Sequence, residues 1–182
     1  MPTGREGPQS AAARANGDGN FEGERRDMAA GVEVGAKAPE FSLPDQDGTL
    51  VTLKSLKGKQ VVLYFYPKDD NSGCTKEACD FRDSLGAIKK TGAVVIGVSK
   101  DGKASHQKFI AKYGLPFALL SDEDAAVSTA YEVYKEKSMY GRKYMGIERS
   151  TFVIDATGRI KASFRKVKVP GHVEEVLAAL KA

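Results

Sequence analysis

Residues 61–83 read VVLYFYPKDDNSGCTKEACDFRD, and the fold turns on this stretch. Six apolar residues, 61–66, run unbroken to Pro67, the pattern of a central strand covered on both faces. Beyond a polar loop, Cys79, Phe81, Leu85 and Ile88 recur close to helical spacing before Gly92, which predicts a helix over 73–91. Strand, loop and helix in this order make one α/β unit, and the pattern continues outward. Downstream, AVVIGVS (93–99) is a second central strand, followed by a helix over about 103–113 that Gly114 ends, a short strand over 117–120, and a helix in SDEDAAVSTAY behind a row of acidic caps. STFVIDATGRIKASF (150–164) is a hairpin turning at Asp155-Ala156-Thr157-Gly158, and HVEEVLAALKA is an amphipathic helix after Pro170-Gly171. Upstream, FSLPDQDGTLVTL (41–53) is a hairpin with Asp47-Gly48 in its turn. Residues 135–148 show no clear period and are expected to form a long loop. The fold class is therefore α/β, a central mixed sheet flanked by helices on both faces.

Composition narrows the function. The 182 residues are 41% hydrophobic and 29% charged, with a mean hydropathy of −0.36, as in soluble globular chains. The longest apolar runs fall far short of the roughly 18 residues of a membrane-spanning helix, so no membrane association is expected. Two cysteines and two histidines make neither a disulfide scaffold nor a common zinc site; no metal and no cofactor is expected. The net charge of +4 is uneven: residues 135–168 hold ten Lys/Arg against three Asp/Glu, a local +7 that leaves −3 for the remainder. With no nucleic-acid motif or P-loop beside it, this basic segment reads as a solvated surface containing one functional arginine, and no nucleic-acid partner is expected.

Residues 1–31 contain no Val, Ile or Leu, so they are expected to be a disordered extension, with the folded domain over 32–182. They lack the apolar core of a secretory signal and are too acidic for a transit peptide, which points to a cytoplasmic protein. Met28 is a candidate start.

Cys74 falls in the first turn of the expected helix, where unsatisfied N–H groups and the positive end of the macrodipole favour a thiolate. Ser72 and Gly73 suit an N-cap, and Pro67 narrows the loop over the sulfur. Cys79 lies five residues on. In a regular helix that spacing puts the Cα atoms about 8.7 Å apart, whereas a disulfide needs about 4.4–6.8 Å. A Cys74–Cys79 bond therefore requires the turn to unwind, as in a redox cycle with folded and opened states. Two buried structural cysteines are the other reading of the same spacing.

YFYPKDDNSGCTKEAC (64–79) resembles the active-site segment of the peroxiredoxins, in the branch of the bacterioferritin comigratory protein or peroxiredoxin Q. The likeness extends through VVIGVS, LLSDED, YGRKYMGIERSTFVID and the last helix, covering nearly everything after about Val32. It implies a thioredoxin-like fold and an antioxidant peroxidase that reduces hydrogen peroxide and organic hydroperoxides. Cys74 would attack the peroxide, Cys79 would resolve the resulting sulfenic acid as an intrasubunit disulfide, and thioredoxin or a similar dithiol would reduce it. The branch also implies a monomer. Arg149 matches the arginine that borders the sulfur, and Pro67 the proline of the family pattern. Asn71 departs from that pattern: it stands where Thr or Ser is usual, a hydroxyl that the resemblance assigns to the peroxide and the sulfur, and Ser72 supplies a hydroxyl one residue out of register.

Two rivals accompany this reading: a one-cysteine peroxidase with Cys79 inert, and a non-enzymatic thiol redox sensor. Lys68, Asp69, Asp70, Lys76 and Glu77 read as solvated or helix-capping charges. His106 reads as an exposed helix residue and His172 as part of the last helix's first turn, neither needed as a base if the thiolate is already formed.

Overall fold

A computed structural model describes residues 32–182; the expectations for residues 1–31, including a start at Met28, lie outside the described residues. The first hairpin pairs β1 (Ser42–Pro44) with β2 (Leu50–Thr52). β3 (Gln60–Phe65) follows, then α1 (Ser72–Asp83), α2 (Leu85–Lys90), β4 (Ala93–Ser99), α3 (Lys103–Tyr113), β5 (Ala118–Ser121) and α4 (Ala126–Ala130). The chain closes with β6 (Tyr134–Met139), β7 (Arg142–Ile147), β8 (Ser150–Ile154), β9 (Ile160–Phe164) and α5 (His172–Lys181). Five strands form the main sheet in the order β5-β4-β3-β8-β9. β3 lies at its centre, parallel to β4 and antiparallel to β8. Among the described residues no helix is long and apolar enough to cross a membrane.

The apolar run of β3 supplies both cores. Val62 and Tyr64 pack with Phe81, Leu85 and Ile88 of α1 and α2, Phe109 of α3, and Val173, Val176 and Leu180 of α5. Val61, Leu63 and Phe65 point to the other face, where Leu43, Tyr131, Val133, Phe152 and Ile154 cover them and Val127 of α4 packs alongside. Each large aliphatic side chain so buried contributes about 1.5–3 kcal/mol, which is why the strand reads as continuous apolar sequence instead of alternating. Gly97 on β4 lets the Tyr64 ring lie flush on the sheet: a Cβ there would sit 2.9 Å from the ring and 2.7 Å from Leu119.

Three expectations need correction. Residues 135–148 are not a loop but the β6–β7 hairpin, turning through Tyr140 and Gly141, both with positive φ (52° and 78°). Its strands are largely exposed on both sides, with Met139, Tyr144 and Met145 among the exposed residues, so they show no period-2 alternation. The single helix over 73–91 is two, broken at Ser84 (φ −99°, ψ 2°). The break lets Leu85 and Ile88 turn into the first core beside β4. Finally, His106 is wholly buried, not exposed.

His172 opens the last helix as expected and is also buried, its Nε2 2.8 Å from Thr151 Oγ1 and its ring edge-on to Phe81 and Phe164. Burial first, and then the charge of Arg149, push this imidazole down to about 4. A histidine depressed from an ordinary value of about 6.5 takes up its proton more readily when unfolded. The contribution of His172 to stability should therefore fall as pH drops from about 6.5 to about 4, by on the order of 3 kcal/mol. Urea unfolding of parent and His172→Gln across that range should show it as a difference between the two slopes, every other group titrating alike in both; equal slopes would contradict this assignment.

Candidate active site

β3 ends beneath the site, and residues 66–71 carry the chain from its end to the start of α1. Asn71, not Ser72 or Gly73, is the N-cap: its Oδ1 accepts from the Gly73 N–H at 3.1 Å, and the Thr75 N–H returns to the Asn71 carbonyl at 2.8 Å. Cys74 sits in this first turn and is 1% exposed. Arg149 arrives from the short link between β7 and β8, which is tied by Glu148 N–H to the Val133 carbonyl and by Val167 N–H to the Arg149 carbonyl. Its Nη2 is 3.2 Å from Cys74 Sγ, and its Nη1 donates to Glu77 Oε1 at 2.9 Å. Glycine at 73 leaves room for this approach: a Cβ would lie 3.1 Å from Arg149 Nη2 and press the guanidinium back by a few tenths of an ångström.

Sequence reasoning also misplaced Glu77. Three residues after Cys74, it shares that face of α1, and it is 1% exposed instead of solvated or capping. Burial outweighs the opposing Arg149 charge and lifts its carboxyl to about 7. Its Oε2 has no hydrogen-bond partner among the described residues. Asp69 is likewise buried, while Asp70 pairs with Lys112 and Tyr113, and Lys68 and Lys76 remain on the surface as expected.

The electrostatics of Cys74 also differ from expectation. Burial pushes the thiol up, and charge on Glu77 adds to that. The Lys68 backbone N–H, the Arg149 charge and the Arg149 N–H act the other way, and the balance leaves the thiol above its ordinary value. The closed pocket thus resists a bare thiolate, and Arg149 and the Lys68 amide are the groups that offset the cost. Near the sulfur, the Tyr64 hydroxyl is buried without a hydrogen-bond partner among the described residues. Lys137 on β6 is half-buried, its stem over Gly146 and its Nζ donating to the Ile147 carbonyl. Desolvation and then the Arg149 charge push it below the ordinary lysine value.

The expected residues do not all converge. Cys74 and Arg149 meet. Asn71 is exposed, its side-chain oxygen spent on the helix cap, and half-buried Pro67 stands at the start of the loop. Cys79 is a free, half-buried thiol on intact α1, whose geometry holds it about 8.7 Å from Cys74 between Cα atoms. No group of three or more His, Cys, Asp or Glu residues among those described is placed to hold a metal ion.

Residues 34–163 match the AhpC/TSA family. The chain is 56% identical over 149 residues to a putative peroxiredoxin bcp of Coxiella burnetii, covering 82% of this chain and 99% of that one. It is 51% identical over 150 residues to peroxiredoxin Bcp of Bacillus subtilis, covering 82% and 96%. The chain belongs to the AhpC/TSA family. Within that family its solved neighbours include Xanthomonas campestris peroxiredoxin Q, with a TM-score of 0.74 and 48% identity over 78% of this chain and 89% of that one. A second is the bacterioferritin comigratory protein of the same organism, studied for alkyl peroxide reduction in trapped intermediate/ligand complexes, with the same score and identity over 78% and 90%. The mixed sheet and its helices are thus the thioredoxin-like fold of the AhpC/TSA peroxiredoxins.

The part in peroxide binding expected of position 71 is tested by restoring a hydroxyl there. Threonine also caps a helix, somewhat less well than asparagine, and supplies that hydroxyl. Asn71→Thr should raise the second-order rate with hydrogen peroxide by about tenfold, the worth of one added hydrogen bond. Stopped-flow kinetics would measure it, and an unchanged or lower rate would sink the account.

Proposed function

We propose that this chain is a two-cysteine thiol peroxidase that reduces hydrogen peroxide and organic hydroperoxides, with Cys74 as the attacking sulfur. The observation that carries the reading is the Arg149 guanidinium, one nitrogen on Cys74 Sγ and the other on Glu77. A planar fork fixed in this way donates to sulfur in the resting site and to peroxide oxygens as charge develops on them. The alkyl peroxide reduction reported for the Xanthomonas campestris relative supports the organic hydroperoxide substrates.

In the first step the Cys74 thiolate attacks the terminal oxygen of ROOH. The O–O bond breaks, the S–O bond forms, and the departing alkoxide takes up the proton lost by the thiol, leaving Cys74 sulfenic acid and ROH. The first turns of α1 then unwind, because the wound helix keeps Cys79 out of bonding range. Cys79 displaces water from the sulfenic acid and closes a disulfide. An external dithiol, thioredoxin or a protein like it, reopens that bond by exchange. Lys76 and Arg82, each three residues from Cys79 on α1, place positive charge beside the second thiol.

Intact mass after one equivalent of peroxide tests the sequence of steps. Loss of two hydrogens in the parent chain and gain of one oxygen in Cys79→Ser are the expected results. Gain of oxygen in both would mean a one-cysteine enzyme. Steady-state NADPH oxidation through thioredoxin reductase and thioredoxin should proceed with the parent; oxidation of Cys74 without turnover under any dithiol would mean a sensor.

A further inference from the structure

The loop that leads to Cys74 is anchored by a buried polar cluster with no part in the steps above. Asp69 is 7% exposed and His106 wholly buried. Asp69 Oδ2 lies 2.7 Å from His106 Nδ1 and accepts from Ser105 Oγ at 2.8 Å, while Oδ1 accepts from the Tyr66 hydroxyl at 2.5 Å. The Asp69 N–H donates to Asp101 Oδ2 at 2.8 Å, and Ser99 Oγ orients that carboxylate at 2.8 Å. His106 Nε2 is 3.0 Å from the Leu120 carbonyl. A carbonyl only accepts, so Nε2 bears a proton and Nδ1 shares one with Asp69. These bonds reach the loop from the ends of β3, β4 and β5 and from α3.

A buried pair of this kind adds little net stability compared with well-packed apolar residues. Its directional bonds do fix position closely. What they fix is the backbone of residues 67–70, which includes the Lys68 N–H that favours the Cys74 thiolate. Neither Asp69 nor His106 has a hydrogen bond to the sulfur.

We propose that Asp69 and His106 are positioning residues for Cys74: they hold the loop in the one conformation that keeps the Lys68 N–H directed at the sulfur, so that a peroxide meets a thiolate stabilised from the loop side as well as by Arg149. The assignment rests on the reading of Cys74 as the attacking thiol. The charged and titratable groups facing that sulfur are Arg149 from the β7–β8 link, Glu77 from α1, Tyr64 from β3 and Lys137 from β6. Those facing Asp69 are Tyr64, Tyr66, Asp101 and His106. Substitution at His106 or Tyr66 removes none of the side chains that face the sulfur.

The test titrates Cys74 without peroxide, by following iodoacetamide alkylation against pH in a Cys79→Ser background. His106→Gln should move the midpoint up by about one unit and slow the reaction with hydrogen peroxide at neutral pH about tenfold, the loss of roughly one hydrogen bond to the anion. Tyr66→Phe keeps the ring and the fold, and should move the midpoint the same way by less; if His106→Gln does not fold, this variant decides. Ile160→Val makes a small cavity in the second core and should lower the melting temperature without moving the midpoint. An unmoved midpoint in the foldable variants, or an equal shift in Ile160→Val, overturns the positioning role. A midpoint that shifts as described in a chain that never reduces peroxide leaves the positioning intact and removes the proposed function instead.

Discussion

Everything in this molecule converges on the cost of keeping a charged sulfur where water does not reach. Cys74 and Glu77 are each 1% exposed, one turn apart on the same helix, and both are acids. Left to burial alone, both would stay protonated. Among the described residues Arg149 is the one cation in contact with both, at 3.2 Å and 2.9 Å. The competition is close: burial still wins at Glu77, which is held near 7, and it leaves Cys74 above its ordinary value. A proton on Glu77 removes a repulsive charge from beside the sulfur. The site is thus balanced between states. That balance suits the proposed nucleophile, held for reaction and then released as α1 unwinds.

The fold serves this contact by bringing three distant pieces of chain to one point. The buried strand β3 delivers the loop, α1 presents Cys74 and Glu77, and the β7–β8 link supplies Arg149 from 75 residues further along. Because β8 lies next to β3 in the sheet, with Phe65 opposite Ser150, the link ends beside the start of the helix. Gly73 provides the space for the guanidinium. On the far side of the loop, α3 holds Asp69 and Asp70 and receives Arg82 from α1 through the Tyr113 carbonyl. The helix that the proposed disulfide requires to unwind is thus held at its C-terminal end and at the loop before it.

Much of this was legible in residues 61–83, because an unbroken apolar run and a helix start are local signals. Cys74 and Arg149 could be named from residue type, position and resemblance. Glu77 carried a signal that was passed over: its i+3 spacing puts it on the face of Cys74, but its burial depends on a residue 72 positions away. His106 likewise stands three residues before Phe109 on a helix whose other residues are mostly polar, and its partner Asp69 meets it only through the β3–β4–β5 arrangement. The β6–β7 hairpin was invisible for a different reason. With both faces exposed, pairing and the Tyr140-Gly141 turn hold it, not an apolar period. The acidity of Cys74 was misjudged because helix position argues for a thiolate, whereas desolvation is set by tertiary packing.

The central claim is that the Arg149 fork, and not positive charge alone, makes Cys74 a competent nucleophile. Arg149→Lys keeps the charge but cannot bridge Cys74 and Glu77 with two parallel N–H groups. A single-turnover stopped-flow measurement of Cys74 oxidation by hydrogen peroxide needs no reductant and reads this step alone. The second-order rate should fall by about a hundredfold in the lysine variant, and a rate within about threefold of the parent would contradict the account.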